Sequence, residues 1–296
     1  MTRHTWKRLV VGGMMCTSGF LPTTLIGQSD PYRAEQESWR AEREANLLAD
    51  DSWLTVAALF FLNEGDNSFG ASPLNDMVLP SGPDYAGVFD FQDRNVVVLA
   101  PDEATIAVDG ESVTSALLYP TQTGRHNVTI GGLTLWVHYS GDRLAIRMRD
   151  PKSEIRQNFT GLKWFPVNEQ LRVTGHFVPH DTPLTVDLPN ILGDIEPFTS
   201  HGSVVLTVGG QEVSMLPMTS GERLWFIFRD LTSGSETYPA ARFLYADAPD
   251  DTGSVIVDFN RAYNPPCAFN PHTTCPLPPI ENRLGVRVEA GEMDYH

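Results

Sequence analysis

Apolar and polar positions change rhythm once along this chain. Over residues 32–49 no Gly or Pro interrupts a run rich in Ala, Glu, Gln, Arg and Leu. Tyr32, Trp39 and Leu47 recur in it at seven- or eight-residue spacing, which predicts an amphipathic helix with a narrow apolar stripe, packed on the outside of the domain. Asp30-Pro31 gives that helix a carboxylate cap and a proline in its first turn, where a missing N–H costs nothing.

From Ser52 onward the period moves toward two. Alternating runs at 133–139 and 143–149 flank Ser140-Gly141-Asp142, and runs at 203–208 and 211–215 flank Gly209-Gly210; both read as hairpins. Further strand patterns fall at 87–92, 94–100, 104–109, 112–119, 126–131, 171–178, 223–229, 241–246, 254–259 and 285–290. Residues 53–62 are apolar without a period and fit a buried strand or a buried helix equally. No helical pattern alternates with the strands, so the fold class is all-β. We expect a mainly antiparallel sandwich or barrel with one N-terminal helix. Residues 30–296 form one β-rich domain in this reading, and any two halves would meet near 150–170.

Composition narrows the function classes. The chain has 296 residues, with 21 Lys and Arg against 37 Asp and Glu. Its formal charge of −16 argues against a nucleic-acid partner and against a polybasic membrane-surface protein. Residues 1–29 open on Arg3, Lys7 and Arg8, pass through an apolar stretch and end among small residues, which is the pattern of a cleaved secretory signal. An exported, periplasmic or secreted protein follows, with no membrane span in the mature chain. Cys16 offers lipoprotein anchoring as the alternative, although bulky Met15 suits that modification poorly.

Standard catalytic motifs are missing: there is no nucleophile elbow, no zinc-binding His pair on a helix and no phosphate-binding loop. No cofactor and no metal is expected. His176 and His180 read as strand-end residues, and the acidic stretch 247–253 as a solvated turn. The unusual segment is Asp258-Phe259-Asn260-Arg261-Ala262-Tyr263-Asn264-Pro265-Pro266-Cys267-Ala268-Phe269, followed by Thr274-Cys275-Pro276-Leu277-Pro278-Pro279. Six prolines between 265 and 279 exclude helix and central strand and make this a stiff loop. Its polar groups serve either the loop's own backbone or a site.

That segment resembles the hallmark of a prokaryotic domain-of-unknown-function family, number 1684. Ser52-Trp53-Leu54-Thr55 with Gly65-Asp66-Asn67, Ile146-Arg147-Met148-Arg149-Asp150, and Asp230 through Tyr238 with Arg242-Phe243-Leu244 resemble the same family. Leu231 stands where a polar residue is expected, and the likeness runs over roughly 38–292. The resemblance implies no established activity.

The family-like stretches end strands with polar groups. Arg147, Arg149, Asp150, Asp230, Tyr238, Arg242, Asp258, Asn260, Arg261 and Asn264 would form one pocket if those ends converge, rimmed by Trp225, Tyr263 and Phe269. Guanidinium forks there suit a carboxylate or phosphate. The competing expectation is a buried Arg–Asp network that braces loops. The best functional reading is an exported small-molecule-binding β-domain for an anionic ligand. The alternative is an acid–base, hydrolase-like enzyme using Asp258, Asp230 or Tyr263. Cys267 and Cys275 remain as an even pair after signal cleavage and are expected to form a disulfide; free thiols, or a metal site with His272, are the other readings.

Overall fold

The computed structural model describes residues 1–2, 30–102, 105–122 and 124–296. Nearly all of the expected leader, with Cys16, lies outside the described residues. Helix α1 spans Pro31–Leu48, and the Asp30 carboxylate accepts from Tyr32 N at 3.1 Å as its cap. Its two buried residues are Leu47 and, unexpectedly, Gln36.

The ambiguous stretch 53–62 becomes a single 3₁₀ turn, Trp53–Thr55, leading into strand β1 (Val56–Phe61). There follow β2 (Gly65–Gly70), β3 (Met77–Val78), β4 (Gly87–Gln92), β5 (Asn95–Leu99), β6 (Ala107–Val108) and β7 (Glu111–Ser112). β8 (Ser115–Tyr119), β9 (Val128–Ile130), β10 (Leu133–Ser140) and β11 (Arg143–Arg149) complete the first group. They form a sheet in the order β1-β11-β10-β9-β6-β7 and another in the order β3-β2-β4-β5-β8, closed over one apolar core drawn from residues 58–148. Leu133, Leu135, Leu144, Ile146 and Met148 are buried in that core. The opposite face of the β10–β11 hairpin, where Trp136 pairs with Arg147, looks away from it.

After a short helix α2 (Glu154–Gln157) the second group begins. It holds β12 (Arg172–Pro189), β13 (Ile195–Val208), β14 (Gln211–Met215), β15 (Met218–Ser220), β16 (Arg223–Phe228), β17 (Arg242–Asp247) and β18 (Ser254–Asp258). Sheets in the orders β14-β13-β12-β18 and β15-β16-β17 pack over a second core that includes Val204, Leu206, Phe226, Phe228, Val257 and Phe259. Gly209 and Gly210 both hold positive φ, +59° and +79°, which the tight turn between β13 and β14 requires. With one exception, β2 against β3, the paired strands run antiparallel.

One expected strand is absent. Residues 285–290 do alternate, with Val286, Val288 and Ala290 buried, yet they join no sheet. Side chains satisfy much of their backbone instead. Val288 N donates to Asp230 Oδ2 at 2.7 Å, while the carbonyls of Val288 and Ala290 accept from Arg242. The proline-rich loop joins the two groups, because Asn270 Nδ2 donates to Trp53 O at 2.9 Å and to Val56 O at 2.5 Å.

Candidate functional site

Asp258 ends β18 and caps the 3₁₀ turn Phe259–Arg261 by accepting from Asn260 N at 3.1 Å. Its carboxylate also accepts from Tyr32 Oη at 2.9 and 3.0 Å, from Gln36 Nε2 at 3.0 Å and from Asn260 Nδ2 at 3.1 Å. Arg261 Nε stands 3.9 Å away, and Arg261 also pairs with Glu35 on α1. This polar knot fastens α1 to the second group of strands. Burial, followed by the facing Asp258 carboxylate, pushes the Tyr32 phenol well above its ordinary range.

Between α1 and the strands lies a cavity of about 670 Å³. Glu35, Trp39, Arg43 and Leu47 line it from the helix. The opposing wall is aromatic: Trp225 pairs with Tyr245 across β16 and β17, and Phe243 pairs with Tyr263. Trp225 and Tyr245 lie 6.0 Å apart and nearly parallel, as do Tyr245 and Tyr263 at 6.3 Å. Arg223 lies over Tyr245 at 4.8 Å and Arg43 over Tyr263 at 4.7 Å. Burial and the neighbouring Tyr245 raise the Tyr263 phenol, so it keeps its proton at any physiological pH. Trp53, Phe269, Thr274 and Cys275 close the end beside Leu47.

Of the sequence-predicted residues, Asp258, Arg261, Tyr263, Trp225, Phe269 and Cys275 line this cavity. Asn260 stands directly behind Asp258 and clasps Asn168 N and O at 2.8 Å each. Asn264 Nδ2 donates to Met293 O, and Tyr238 Oη donates to Cys267 O at 3.1 Å. The expected disulfide is not formed in this structure: Cys267 and Cys275 are both free thiols, with Cys267 N donating to Cys275 Sγ at 3.2 Å. Burial pushes the Cys275 thiol up, while the hydrogen bond from Cys275 lowers the Cys267 thiol.

The expected convergence on one pocket is only partial. Asp230 and Arg242 form a separate buried pair, 3.2 Å apart, whose remaining valences hold Thr232, Val288 and Ala290. This is a brace, and its side chains are 0% and 1% exposed. Asp150 caps the turn before α2 through Lys152 N at 2.8 Å, and Arg149 lies over Trp136 at 4.9 Å. Arg147 lies behind the cavity wall, with Nη2 donating to Thr274 Oγ1 at 3.2 Å.

Sequence reasoning missed the helix's share of the site and Glu292. Glu292 is buried, accepts from Arg43 Nε and Asn264 N at 2.8 Å each, and is raised by burial. The signal was present: residues 32, 36, 39, 43 and 47 form one continuous helical stripe once long polar side chains count as buriable.

The family described as "Protein of unknown function (DUF1684)" matches residues 157–293 of this chain. That span carries the aromatic wall, Asp258 and the proline-rich loop; α1 and Arg147 lie before it. The solution NMR structure of the uncharacterized protein from gene locus rrnAC0354 of Haloarcula marismortui is 30% identical, covering 47% of this chain and 78% of that one, with a TM-score of 0.40. Among curated proteins none matches. Residues 157–293 thus form a domain of this family of unknown function.

Proposed function

Membership of that family brings no activity with it, and from the cavity we propose that this is an exported small-molecule-binding protein whose ligand is an anion. The observation that carries the reading is an unfilled volume of about 670 Å³ between α1 and an aromatic strand face, bordered by guanidinium groups. Its size falls in the range of small-molecule sites, where apolar walls supply affinity and a few fixed polar groups set orientation. Acid–base catalysis has less support. Asp258 is engaged by Tyr32, Gln36 and Asn260, Asp230 belongs to the brace, and Tyr263 holds its proton. Export rests on the N-terminal sequence, and in an oxidising compartment the two thiols, free in this structure, would oxidise to a disulfide beside the cavity.

The test uses protein purified from its native host. Native mass spectrometry should find a co-purified small molecule, and 8-anilinonaphthalene-1-sulfonate should bind at one saturable site. Ile256 lines the cavity and is 48% exposed, so Ile256→Trp fills the space at little risk to folding. It should weaken the dye at least about fivefold at unchanged melting temperature. Protein with no bound mass and no saturable dye binding overturns the reading.

A further inference from the structure

The cavity's own arginines are already compensated. Arg43 pairs with Glu292 at 2.8 Å, Arg261 with Glu35 and Asp258, and Arg223 stands 3.7 Å from Asp247. Arg172 is solvent-exposed and lies opposite Asp258 in the strand register. Arg147 differs. It is only 4% exposed and forms no ion pair among the described residues. Its Nη2 donates to two neutral acceptors, His138 Nε2 at 2.9 Å and Thr274 Oγ1 at 3.2 Å, while its buried Nε has no partner.

The surroundings sharpen the imbalance. Arg149 and Arg125 both lie over Trp136, at 4.9 and 4.5 Å, and neither forms an ion pair among the described residues. Burial disfavours the Arg147 guanidinium most, Glu196 offsets part of this, and Arg149 and Arg125 add to it. His138 adds no charge, since burial and Arg147 hold its pKa near 3. A buried cation without a counter-ion is costly, and a chain of net charge −16 has kept one beside its cavity. Thr274 and Trp53 are cavity wall, and Arg147 hydrogen-bonds the first and lies 5.8 Å from the ring of the second.

We infer that Arg147 supplies the counter-charge for the ligand's anionic group, acting through Thr274. The anion then sits at the Trp53–Thr274–Cys275 end of the cavity, and the ligand's apolar body lies along Tyr263, Tyr245 and Trp225. This rests on the cavity being the ligand site. Arg147 is thus a positioning residue that selects for charge.

Two matched probes separate the claims: 8-anilinonaphthalene-1-sulfonate, and N-phenyl-1-naphthylamine, the same ring system without the sulfonate. The unaltered protein should prefer the sulfonate. Arg147→Met should weaken the sulfonate about tenfold or more and the neutral probe less than about twofold, with Arg147→Lys between. Thr274→Val, which leaves the buried guanidinium in place, should also reduce the preference and serves if Arg147→Met does not fold. Equal effects on both probes in these variants, or no preference in the unaltered protein, overturn the inference and leave the cavity reading standing. Saturable binding of neither probe to the unaltered protein overturns both.

Discussion

Removing the Arg242 guanidinium tests whether the Asp230 pair is a brace or part of a ligand site. Arg242→Met keeps much of the volume and deletes the charge. The Asp230 carboxylate then stays buried with only Thr232 and Val288 N to hold it, the Ala290 carbonyl loses its donor, and Val288 O keeps only Ala290 N. Breaking one side of a buried ion pair costs about 3–5 kcal/mol. The one carbonyl left without a donor, Ala290 O, adds to this at about 1–3 kcal/mol. Urea unfolding should therefore show a midpoint shift of this size at unchanged slope, with a fall in melting temperature of roughly 10 °C. Adding Asp230→Asn neutralises the stranded carboxylate and should recover about 1–2 kcal/mol, a coupling read by a double-mutant cycle. Dye binding by the folded fraction of Arg242→Met should be unchanged. A cost below about 1 kcal/mol, or a selective loss of dye affinity, refutes the assignment as a brace.

Three further outcomes follow from the same contacts. The folded state lowers the His138 imidazole to about 3 from its ordinary 6.5, so the unfolded chain binds a proton below 6.5 that the folded one refuses. Stability is then full above pH 6.5 and falls as pH drops toward 3, by on the order of 2 kcal/mol at pH 5, and His138→Gln should flatten that limb; parallel limbs would contradict it. Tyr32→Phe removes the hydroxyl donated to Asp258 and should cost about 1.5–3 kcal/mol, with faster proteolytic cleavage within α1; an unchanged cleavage rate counts against the polar knot. If the proposed export and oxidation hold, thiol titration of the denatured, unreduced protein from its native host should find neither Cys267 nor Cys275 free, the closed loop contributing about 2–3 kcal/mol; two free thiols exclude the disulfide.

The elements legible in the sequence are those whose backbone and side chains obey the same rule. The hairpins around Gly141 and Gly209-Gly210 combine alternation with residues that accept positive φ, and both stand where the pattern puts them. Residues 285–290 alternate just as well, but alternation reports burial on one side and says nothing about what satisfies the backbone. Here Asp230 and Arg242 take the place of a neighbouring strand, and only the tertiary fold brings them there. Residues 53–62 show the reverse limit. A continuous apolar run fixes burial without fixing period, and the change from a 3₁₀ turn to a strand at Val56 follows from pairing with β11.

The site divides along the same line. Asp258, Arg261 and Tyr263 were visible because a proline-rich loop concentrates polar groups in stiff backbone, where they cannot serve a helix or a sheet. Half of the cavity was hidden because α1 looks like a solvated helix when only apolar side chains are counted. Gln36 is wholly buried, Arg43 covers Tyr263, and Trp39 packs on Trp164 at 5.6 Å, so its inward stripe is largely polar. Polar anchors of that kind fix a helix in one position, since each lost hydrogen bond leaves a buried partner unsatisfied, whereas an apolar stripe tolerates sliding. A wall held in this way stays in register with the aromatic face opposite, which keeps the cavity open instead of letting the helix collapse into it. Arg147 fits the same logic from the other side. Its uncompensated charge would be eliminated by any apolar replacement if stability alone mattered, and its position one hydrogen bond behind Thr274 is where an anion in the cavity would balance it.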